Sequence, residues 1–400
     1  ASGRQAGTAA RPLLRFDQIG ALGDRPDADI ARSETEAALI VWTSGTSSAP
    51  KGVTLSLANI AYVVRQGVAA HDLDADDRWL SFLPLNHMLE LSCGLLAAMA
   101  TGASFAFVGS SAPGPVATAM AERRCTRMTV VPAFLAALLA HIEATGPAGF
   151  PTGRRLSLHC GGAPLDAAVA RRLERFGIPV YTGYGLTETA PVVAVNTPAA
   201  CRPGSVGRPL PGTEVRIATS GEVLVRSPGV MVGYWDDAAL TEAAIDGGGW
   251  LHTGDLGHLD ADGFLHVTGR AKTLIVLANA KKVQPEEVEE VLAGSALLAE
   301  ACVVGWPVGD ADQRVGAVVV AGPALRRRCP SPEALAAAAE GEVARLTAGL
   351  AAFKRPVVVR VIDGALPRTA KGSIRRTEVL RLVVGAPYHR SGHASAGPDP

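Results

Sequence analysis

A stretch rich in hydroxyl side chains near the start of the chain has the residue types needed to hold a polyphosphate. An apolar run ending at Trp42 passes into several hydroxyls and one glycine, then a Pro50-Lys51-Gly52 corner and a second β-branched run. This order is typical of a strand, a loop and a second strand. Freed backbone N–H groups, hydroxyl donors and one ammonium group would converge there on a small volume, which suits phosphate oxygens. The candidate phosphate-binding residues are Thr43, Ser44, Gly45, Thr46, Ser47 and Lys51.

The spacing around Lys51 argues against a Walker P-loop. That motif needs a glycine directly before the lysine and a serine or threonine after it, whereas here Pro50 precedes Lys51 and Gly52 follows it. A surface turn rich in serine and threonine, with no ligand, is the alternative that this stretch alone leaves open.

Two later glycine-rich stretches have the residue types of a nucleotide and metal site. The first, GGAPL, follows one predicted strand, and the second, TGYGLTET, follows the next. Glycines permit close backbone approach to a flat ligand, and Tyr184 offers a ring for stacking on a base. Thr187 and Glu188 place a hydroxyl beside a carboxylate, which could hold Mg²⁺ next to a polyphosphate. The candidate nucleotide-binding residues here are Gly161, Gly162, Ala163, Gly183, Tyr184 and Gly185.

An acidic and a basic residue further along could bind a ribose. Asp255, next to Gly254, could accept hydrogen bonds from both sugar hydroxyls. Arg270 could donate to the same sugar or to the α-phosphate. An aspartate in a turn is ordinary by itself, but this one follows the two other candidate stretches in order.

The composition indicates a globular protein with a small-molecule partner. The 400 residues suffice for at least two domains, and 48% of them are hydrophobic and 19% charged. Lys plus Arg and Asp plus Glu both total 38, so no basic excess points to nucleic acid or an anionic membrane. The six scattered cysteines fit reduced thiols, and no apolar run is long enough to span a bilayer. We therefore expect no membrane span and a cytoplasmic location.

The pattern of elements predicts an α/β protein. Residues 116–181 alternate between helical and strand patterns, which favours a mostly parallel sheet covered by helices, with ligands at the carboxyl ends of the strands. Short glycine-rich strands then predict a small β-sub-domain, followed by a small α+β unit. The predicted divisions are a linker or lead-in at 1–33, an N-terminal domain at 34–269 with its β-sub-domain at 196–269, a C-terminal domain at 270–384 and a disordered tail at 385–400.

Three of these motifs, in this order, resemble those of the adenylate-forming superfamily of acyl-CoA synthetases, nonribosomal peptide synthetase adenylation domains and luciferases. They are TSGTSSAPKG (43–52), GYGLTE (183–188) and TGD (253–255). The resemblance implies a large N-terminal domain, its first portion shortened or missing here, and a small mobile C-terminal domain. It further implies ATP-dependent activation of a carboxylic acid to an acyl-adenylate, then transfer to the thiol of CoA, with ATP, Mg²⁺ and CoA as cofactors. Fatty acyl-CoA ligases are the most similar branch, which implies a fatty or other apolar acid.

The resemblance also assigns three further residues. PLNHMLE is similar to the family's PLSHxxE, which implies that His87 lines the acyl pocket and shields the adenylate; a capping or packing histidine is the alternative. Lys272 holds the family's hinge position, unless it is an ordinary solvated lysine. In LPRTAKGSIRR the family's catalytic lysine position is held by Ser373, so we expect Lys371, two residues earlier, to supply the cation.

Three other functions are alternatives to CoA ligation. GGAPL at 161–165 disfavours an amino-acid adenylation domain, where GGE is usual. An acyl-AMP ligase that loads an acyl carrier protein carries an insertion for which 191–223 is too short. The displaced lysine and the shortened start leave a non-catalytic or split remnant as the alternative outside the enzymes.

Overall fold

The structure is a computed structural model that describes residues 33–43, 50–146, 156–279, 281–308, 312–368 and 374–384. Apart from Ser33, the predicted lead-in lies outside these residues, as does the predicted tail. Within the described ranges, no helix combines the length and apolar character needed to cross a membrane.

Strands and helices alternate from residue 57 to residue 184, and strands predominate from there to residue 283. The strands are β1 (Ala37–Thr43), β2 (Lys51–Ser56), β3 (Arg78–Ser81), β4 (Ser104–Phe107), β5 (Arg127–Val130), β6 (Ser157–Cys160), β7 (Val180–Tyr184), β8 (Ala194–Val195), β9 (Arg208–Pro209), β10 (Glu214–Ile217), β11 (Glu222–Arg226), β12 (Gly233–Tyr234), β13 (Leu251–Leu259), β14 (Leu265–Arg270), β15 (Ile275–Val276), β16 (Lys282–Val283), β17 (Leu298–Val308), β18 (Asp312–Ala321) and β19 (Val358–Ile362). The helices are α1 (Leu57–Ala70), α2 (Met88–Glu90), α3 (Ala97–Thr101), α4 (Pro113–Glu122), α5 (Pro132–Thr145), α6 (Ala167–Arg175), α7 (Ala238–Ala244), α8 (Pro285–Ala293), α9 (Pro323–Arg328), α10 (Pro332–Thr347) and α11 (Arg376–Val384).

A seven-stranded sheet forms the centre of the first part of the chain, in the order β4-β3-β5-β6-β7-β8-β9. The first five strands are parallel, and β8 and β9 are antiparallel. Leu80, Met128 and Leu158, from three neighbouring strands, are fully buried and pack with Leu135 and Leu138 of α5. Apolar side chains predominate in these strands because helices cover the sheet. The prediction of a mostly parallel α/β sheet is therefore confirmed.

The candidate phosphate loop belongs to a second, three-stranded sheet in the order β1-β2-β12. Helix α1 follows β2 directly and is started by a capping box between Ser56 and Asn59. Its buried residues Ile60 and Val63 pack against Val53 and Leu55 of β2. This packing holds the strand that begins with Lys51.

The apolar pattern after His87 predicts a single helix over residues 88–99, and the structure is less regular there. A π-helical segment, Leu91–Leu96, separates α2 from α3. The buried carboxylate of Glu90 lies over Gly94, where a Cβ atom would be only 2.5 Å from Oε1. The wider π-helical turn accommodates a side chain that a regular helix would direct into its own next turn.

Two smaller units complete the described chain. The order β10-β11-β13-β14 forms an antiparallel sheet, as predicted for the β-sub-domain. The chain then passes through the β15–β16 pair to a β17-β18-β19 sheet, against which α8 and α10 pack. Helix α11, which the sequence pattern did not reveal, buries Val379 and Val383 against the same sheet.

Candidate active site

The first candidate group surrounds Lys51 at the base of the phosphate loop. Thr43 and Lys51 are paired across β1 and β2, and the Thr43 hydroxyl donates to the Lys51 carbonyl at 3.4 Å. The Lys51 ammonium lies 5.1 Å from the centroid of the Tyr234 ring. Beside it opens a cavity of about 340 Å³, lined in part by Trp42 and Trp235. Ser44, Gly45, Thr46 and Ser47 lie outside the described residues, so their phosphate contacts remain predictions.

Tyr234 connects Lys51 to the candidate metal ligand Glu188. Its hydroxyl donates to Glu188 Oε1 at 2.9 Å. Burial raises the pKa of Tyr234, and the adjacent Glu188 carboxylate raises it further, so the phenol keeps the proton that it donates. The Glu188 backbone is fixed as well, since its carbonyl accepts from the Met231 N–H at 2.8 Å. Thr187 begins the 3₁₀ turn Thr187–Thr189 that contains Glu188.

The second candidate group is centred on Asp255, which is 2% exposed. Tyr184 Oη donates to Asp255 Oδ2 at 2.7 Å, and Arg270 Nε lies 2.8 Å from Asp255 Oδ1. The β13–β14 register explains the ion pair, because Asp255 and Arg270 lie directly opposite each other. Burial raises the pKa of Asp255 and the Arg270 guanidinium opposes that rise. Burial also raises the pKa of Tyr184 well above its usual value.

These contacts modify the expected role of Asp255. Both of its carboxylate oxygens already have a partner in the protein. Oδ2 accepts a hydrogen bond from Tyr184, and Oδ1 forms an ion pair with Arg270. Each oxygen has two lone pairs, so a ribose hydroxyl can still be accepted, but it must share the oxygen with Tyr184 or Arg270. The hydroxyl of Tyr184 donates to Asp255, so only its ring could serve the predicted stacking on a base.

Three glycines of the two nucleotide motifs, at 161, 183 and 185, lie where the backbone comes close to neighbouring groups. A Cβ on Gly185 would be 1.9 Å from the carbonyl oxygen of Pro191, and one on Gly161 would be 3.1 Å from Leu89 Cδ1. Gly162 has a φ of +87°, a conformation that favours glycine. Gly183 lies against the Ala194 carbonyl, and Ala163 follows the Gly161-Gly162 turn. Close packing thus accounts for glycine at 161 and 185.

The remaining candidates are at the ends of elements. His87 occupies the N-cap position of α2 but makes no side-chain capping hydrogen bond. It is two residues from Leu89, which contacts Gly161, so the structure brings the PLNHMLE stretch to the GGAPL loop. Lys272 is exposed in the 3₁₀ turn Ala271–Thr273.

Lys371 lies outside the described residues, but its flanks are described. Arg368 and Ile374 form an isolated antiparallel bridge, and the Arg375 N–H donates to the Pro367 carbonyl at 2.8 Å. The two chain segments on either side of Lys371 are therefore held together.

Tyr234 is a site residue that the sequence motifs do not predict. It lies in the stretch GVMVGYW at 229–235, which carries no candidate residue from the sequence. The signal was a tyrosine in a short strand close to the sub-domain edge, and only pairing of β12 with β2 brings it to Lys51.

Comparisons with known proteins agree with this arrangement. The family model described as AMP-binding enzyme matches residues 6–235, and the AMP-binding enzyme C-terminal domain matches residues 272–383. An indoleacetate–CoA ligase from Aromatoleum aromaticum is 34% identical over 86% of this chain and 67% of its own length. A feruloyl-CoA synthase from an Amycolatopsis species is 34% identical over 94% of this chain and 76% of its own length.

Solved structures give the same result. The o-succinylbenzoate coenzyme A synthetase from Bacillus subtilis, in complex with AMP, aligns with a TM-score of 0.74 and 29% identity over 87% of this chain and 69% of that one. ATP-bound MatB from Rhodopseudomonas palustris aligns with a TM-score of 0.75 and 29% identity over 88% and 69% of the two chains. This chain thus spans about two thirds to three quarters of the length of these relatives. It belongs to the AMP-binding enzyme family, the adenylate-forming superfamily that its motifs resemble, and is an AMP-forming acid–thiol ligase.

Proposed function

We propose that this enzyme activates an apolar carboxylic acid with ATP and passes the acyl group to CoA. One observation carries the proposal. Lys51, Tyr234 and Glu188 form one contact group, and Tyr184, Asp255 and Arg270 form another. The two groups are joined by the short segment 184–188, since Tyr184 is its first residue and Glu188 its last. A single nucleotide could therefore place its phosphates by the first group and its ribose by the second.

In the first half-reaction the acid carboxylate attacks the α-phosphorus of ATP. A bond forms between the carboxylate oxygen and phosphorus, and the bond to the β-phosphate oxygen breaks, releasing pyrophosphate. Lys51 and the hydroxyls of residues 43–47 would bind the β- and γ-phosphates, and Arg270 would fix the ribose or the α-phosphate. Lys371 would stabilise the charge that develops at the α-phosphate.

In the second half-reaction the CoA sulfur attacks the acyl carbonyl carbon. The carbon–sulfur bond forms, the bond to the AMP oxygen breaks, and the thiol proton is lost to solvent. His87, two residues before the Leu89 that packs on Gly161, would shield the adenylate from water until the thiol arrives. Lys272 would be the pivot about which the C-terminal domain moves between the two steps.

Thr187 and Glu188 suit a magnesium ion. No group of three His, Cys, Asp or Glu side chains that could hold a metal occurs among the described residues. Mg²⁺ is usually held by one or two carboxylates together with substrate phosphates, so the single carboxylate of Glu188 fits it. The ion would supply neutralisation of phosphate charge.

The preference for an apolar acid rests on the residues after His87. Leu89 packs on Gly161, so an apolar side chain borders the loop where the acyl group would lie. Two of the relatives named above are an indoleacetate–CoA ligase and a feruloyl-CoA synthase, whose acids have an aromatic ring. Aromatic and long aliphatic acids are therefore the classes to test first.

Pyrophosphate exchange against a panel of acids tests the first half-reaction. We expect exchange with at least one aromatic or aliphatic apolar acid, and a CoA thioester detected by mass spectrometry. A thioester formed on a carrier-protein phosphopantetheine but not on CoA would contradict the acceptor, and exchange confined to short polar acids would contradict the substrate class.

A pair of variants tests whether Lys371 supplies the positive charge at the α-phosphate. Lys371→Ala should lower exchange at least about a hundredfold, because a preorganised charged donor contributes roughly 3 kcal/mol to such a step. Ser373→Ala should leave exchange unchanged. Loss in Ser373→Ala with retention in Lys371→Ala would show that the assignment of the lysine is wrong.

A further inference from the structure

Glu286, in the first turn of α8, makes contacts on two sides at once. Its Oε1 lies 3.1 Å from Arg376 Nη2 and accepts from Thr273 Oγ1 at 3.3 Å. Its Oε2 is buried without a hydrogen-bond partner among the described residues and faces Gly269, where a Cβ would be 2.9 Å away. Glu286 therefore touches the end of β14, the turn after it and the first residue of α11.

On the C-terminal side, Arg376 is fixed by several partners. Nη2 also lies 2.5 Å from Glu289 Oε2, and Nε donates to the Val303 carbonyl at 3.2 Å. Arg376 follows Arg375, whose N–H bonds to Pro367. Because Arg375 bonds to Pro367, the position of Arg376 also fixes the position of the two paired segments on either side of Lys371.

On the N-terminal side, Gly269 directly precedes Arg270, which pairs with the buried Asp255 at 2.8 Å. Because Gly269 has no side chain, the Glu286 carboxylate can approach the backbone beside that ion pair. A continuous set of contacts runs from Asp255 and Arg270, across Gly269 and Glu286, to Arg376.

We propose that Glu286 is a positioning residue: in this conformation of the protein, it holds the start of α11, and with it the segments that flank Lys371, in place relative to the Asp255–Arg270 pair. The inference rests on the proposed function, in which those two places act on the same nucleotide. Misplacement of a reacting group by about 1 Å can lower a rate by about a hundredfold, so loss of the contact should reduce turnover rather than ATP binding.

Glu286→Gln tests this because it removes the charge and keeps the side-chain size. Glu287→Gln is the matched control, since Glu287 is the next residue of α8 and pairs with Lys354 Nζ at 2.6 and 2.8 Å, away from the junction. We expect kcat for pyrophosphate exchange to fall at least about tenfold in Glu286→Gln with KM for ATP changed less than about twofold, while Glu287→Gln stays within about twofold for both.

Hydrogen–deuterium exchange without substrate gives a readout that is independent of activity. Amides of 269–273 and of 376–379 should exchange faster in Glu286→Gln than in the wild type or Glu287→Gln. Gly269→Ala should reproduce both effects, because its methyl group would displace the carboxylate while leaving its charge in place.

Three results would overturn the inference. They are unchanged amide exchange in Glu286→Gln, faster amide exchange with normal kcat, or equal losses in the two glutamine variants. A wild-type protein without pyrophosphate exchange on any acid would overturn the proposed function instead, and amide exchange would then still decide whether Glu286 joins the two segments.

Discussion

Glu90 offers a quantitative test of the structure through the pH dependence of stability. Its carboxylate is fully buried beside the π-helical segment, and neither oxygen makes a hydrogen bond within the described part of the chain. Burial raises the pKa of Glu90 from 4.5 to about 7, with the nearby Ser81 hydroxyl partly opposing the rise. The folded protein therefore keeps a proton there that the unfolded chain releases.

The sign and size of the effect follow from that difference in pKa. Between about pH 4.5 and 7 the folded state binds more protons than the unfolded state, so stability falls as pH rises and then levels off. A pKa raised from 4.5 to about 7 corresponds to roughly 3 kcal/mol. About 2 to 3 kcal/mol of this should be lost between about pH 5 and pH 8.

Glu90→Gln removes the ionisation while keeping the shape of the side chain. Urea unfolding of the variant and the wild type at about pH 5 and pH 8 should show the variant gaining about 2 to 3 kcal/mol relative to the wild type at the higher pH. Glu122→Gln, at an exposed position at the end of α4, should show no such gain. If the difference in unfolding free energy between Glu90→Gln and the wild type is the same at the two pH values, the conclusion that Glu90 is a buried carboxyl group with a raised pKa is wrong.

Three further predictions concern other parts of the structure. His71→Phe should make the protein more resistant to acid, since burial lowers the pKa of His71 to about 4 and stability is lost as pH falls from 6.5 towards that value; urea unfolding at about pH 7 and pH 5 measures it. Gly185→Ala should lower the melting temperature, measured by calorimetry, and abolish pyrophosphate exchange. The reason is that the alanine Cβ would be 1.9 Å from the Pro191 carbonyl oxygen. Tyr234→Phe should raise the Mg²⁺ concentration needed for half-maximal exchange several-fold, because it removes the donor that holds Glu188.

The glycine and tyrosine variants each have a matched control, and each of the three predictions has a contrary outcome. Gly67→Ala, in a helix with nothing within 4 Å of the new Cβ, should instead stabilise the protein by about 1 kcal/mol. Tyr62→Phe removes a phenol hydroxyl that bonds to Pro211 and Thr213, and should leave the Mg²⁺ requirement unchanged. An unchanged Mg²⁺ requirement in Tyr234→Phe, an acid sensitivity unaffected by His71→Phe, or a normal melting temperature in Gly185→Ala would each contradict the contact concerned.

Much of the fold was predictable because its signals are local. Alternating strand and helix patterns between 116 and 181 indicated the parallel sheet, and short glycine-rich strands indicated the antiparallel sheet that follows it. The region after His87 was less well predicted, since its π-helical turn depends on the burial of Glu90 against Gly94. Helix α11 was not predicted, because its few apolar residues are buried only by packing against β17 and β18, which are distant in sequence.

The sequence by itself determined the family motifs and the candidate residues within them, with hydroxyls and Lys51 predicted for phosphates, Glu188 for a metal ion, and Asp255 with Arg270 for a sugar, because residue type and order within short motifs carry that information. The tertiary structure alone decided which side chains share a hydrogen bond. Tyr234 reaches Glu188 across 46 residues of sequence, and Tyr184 reaches Asp255 across 71. Strand pairing and packing between distant segments determine such partners, so no local sequence pattern predicts them.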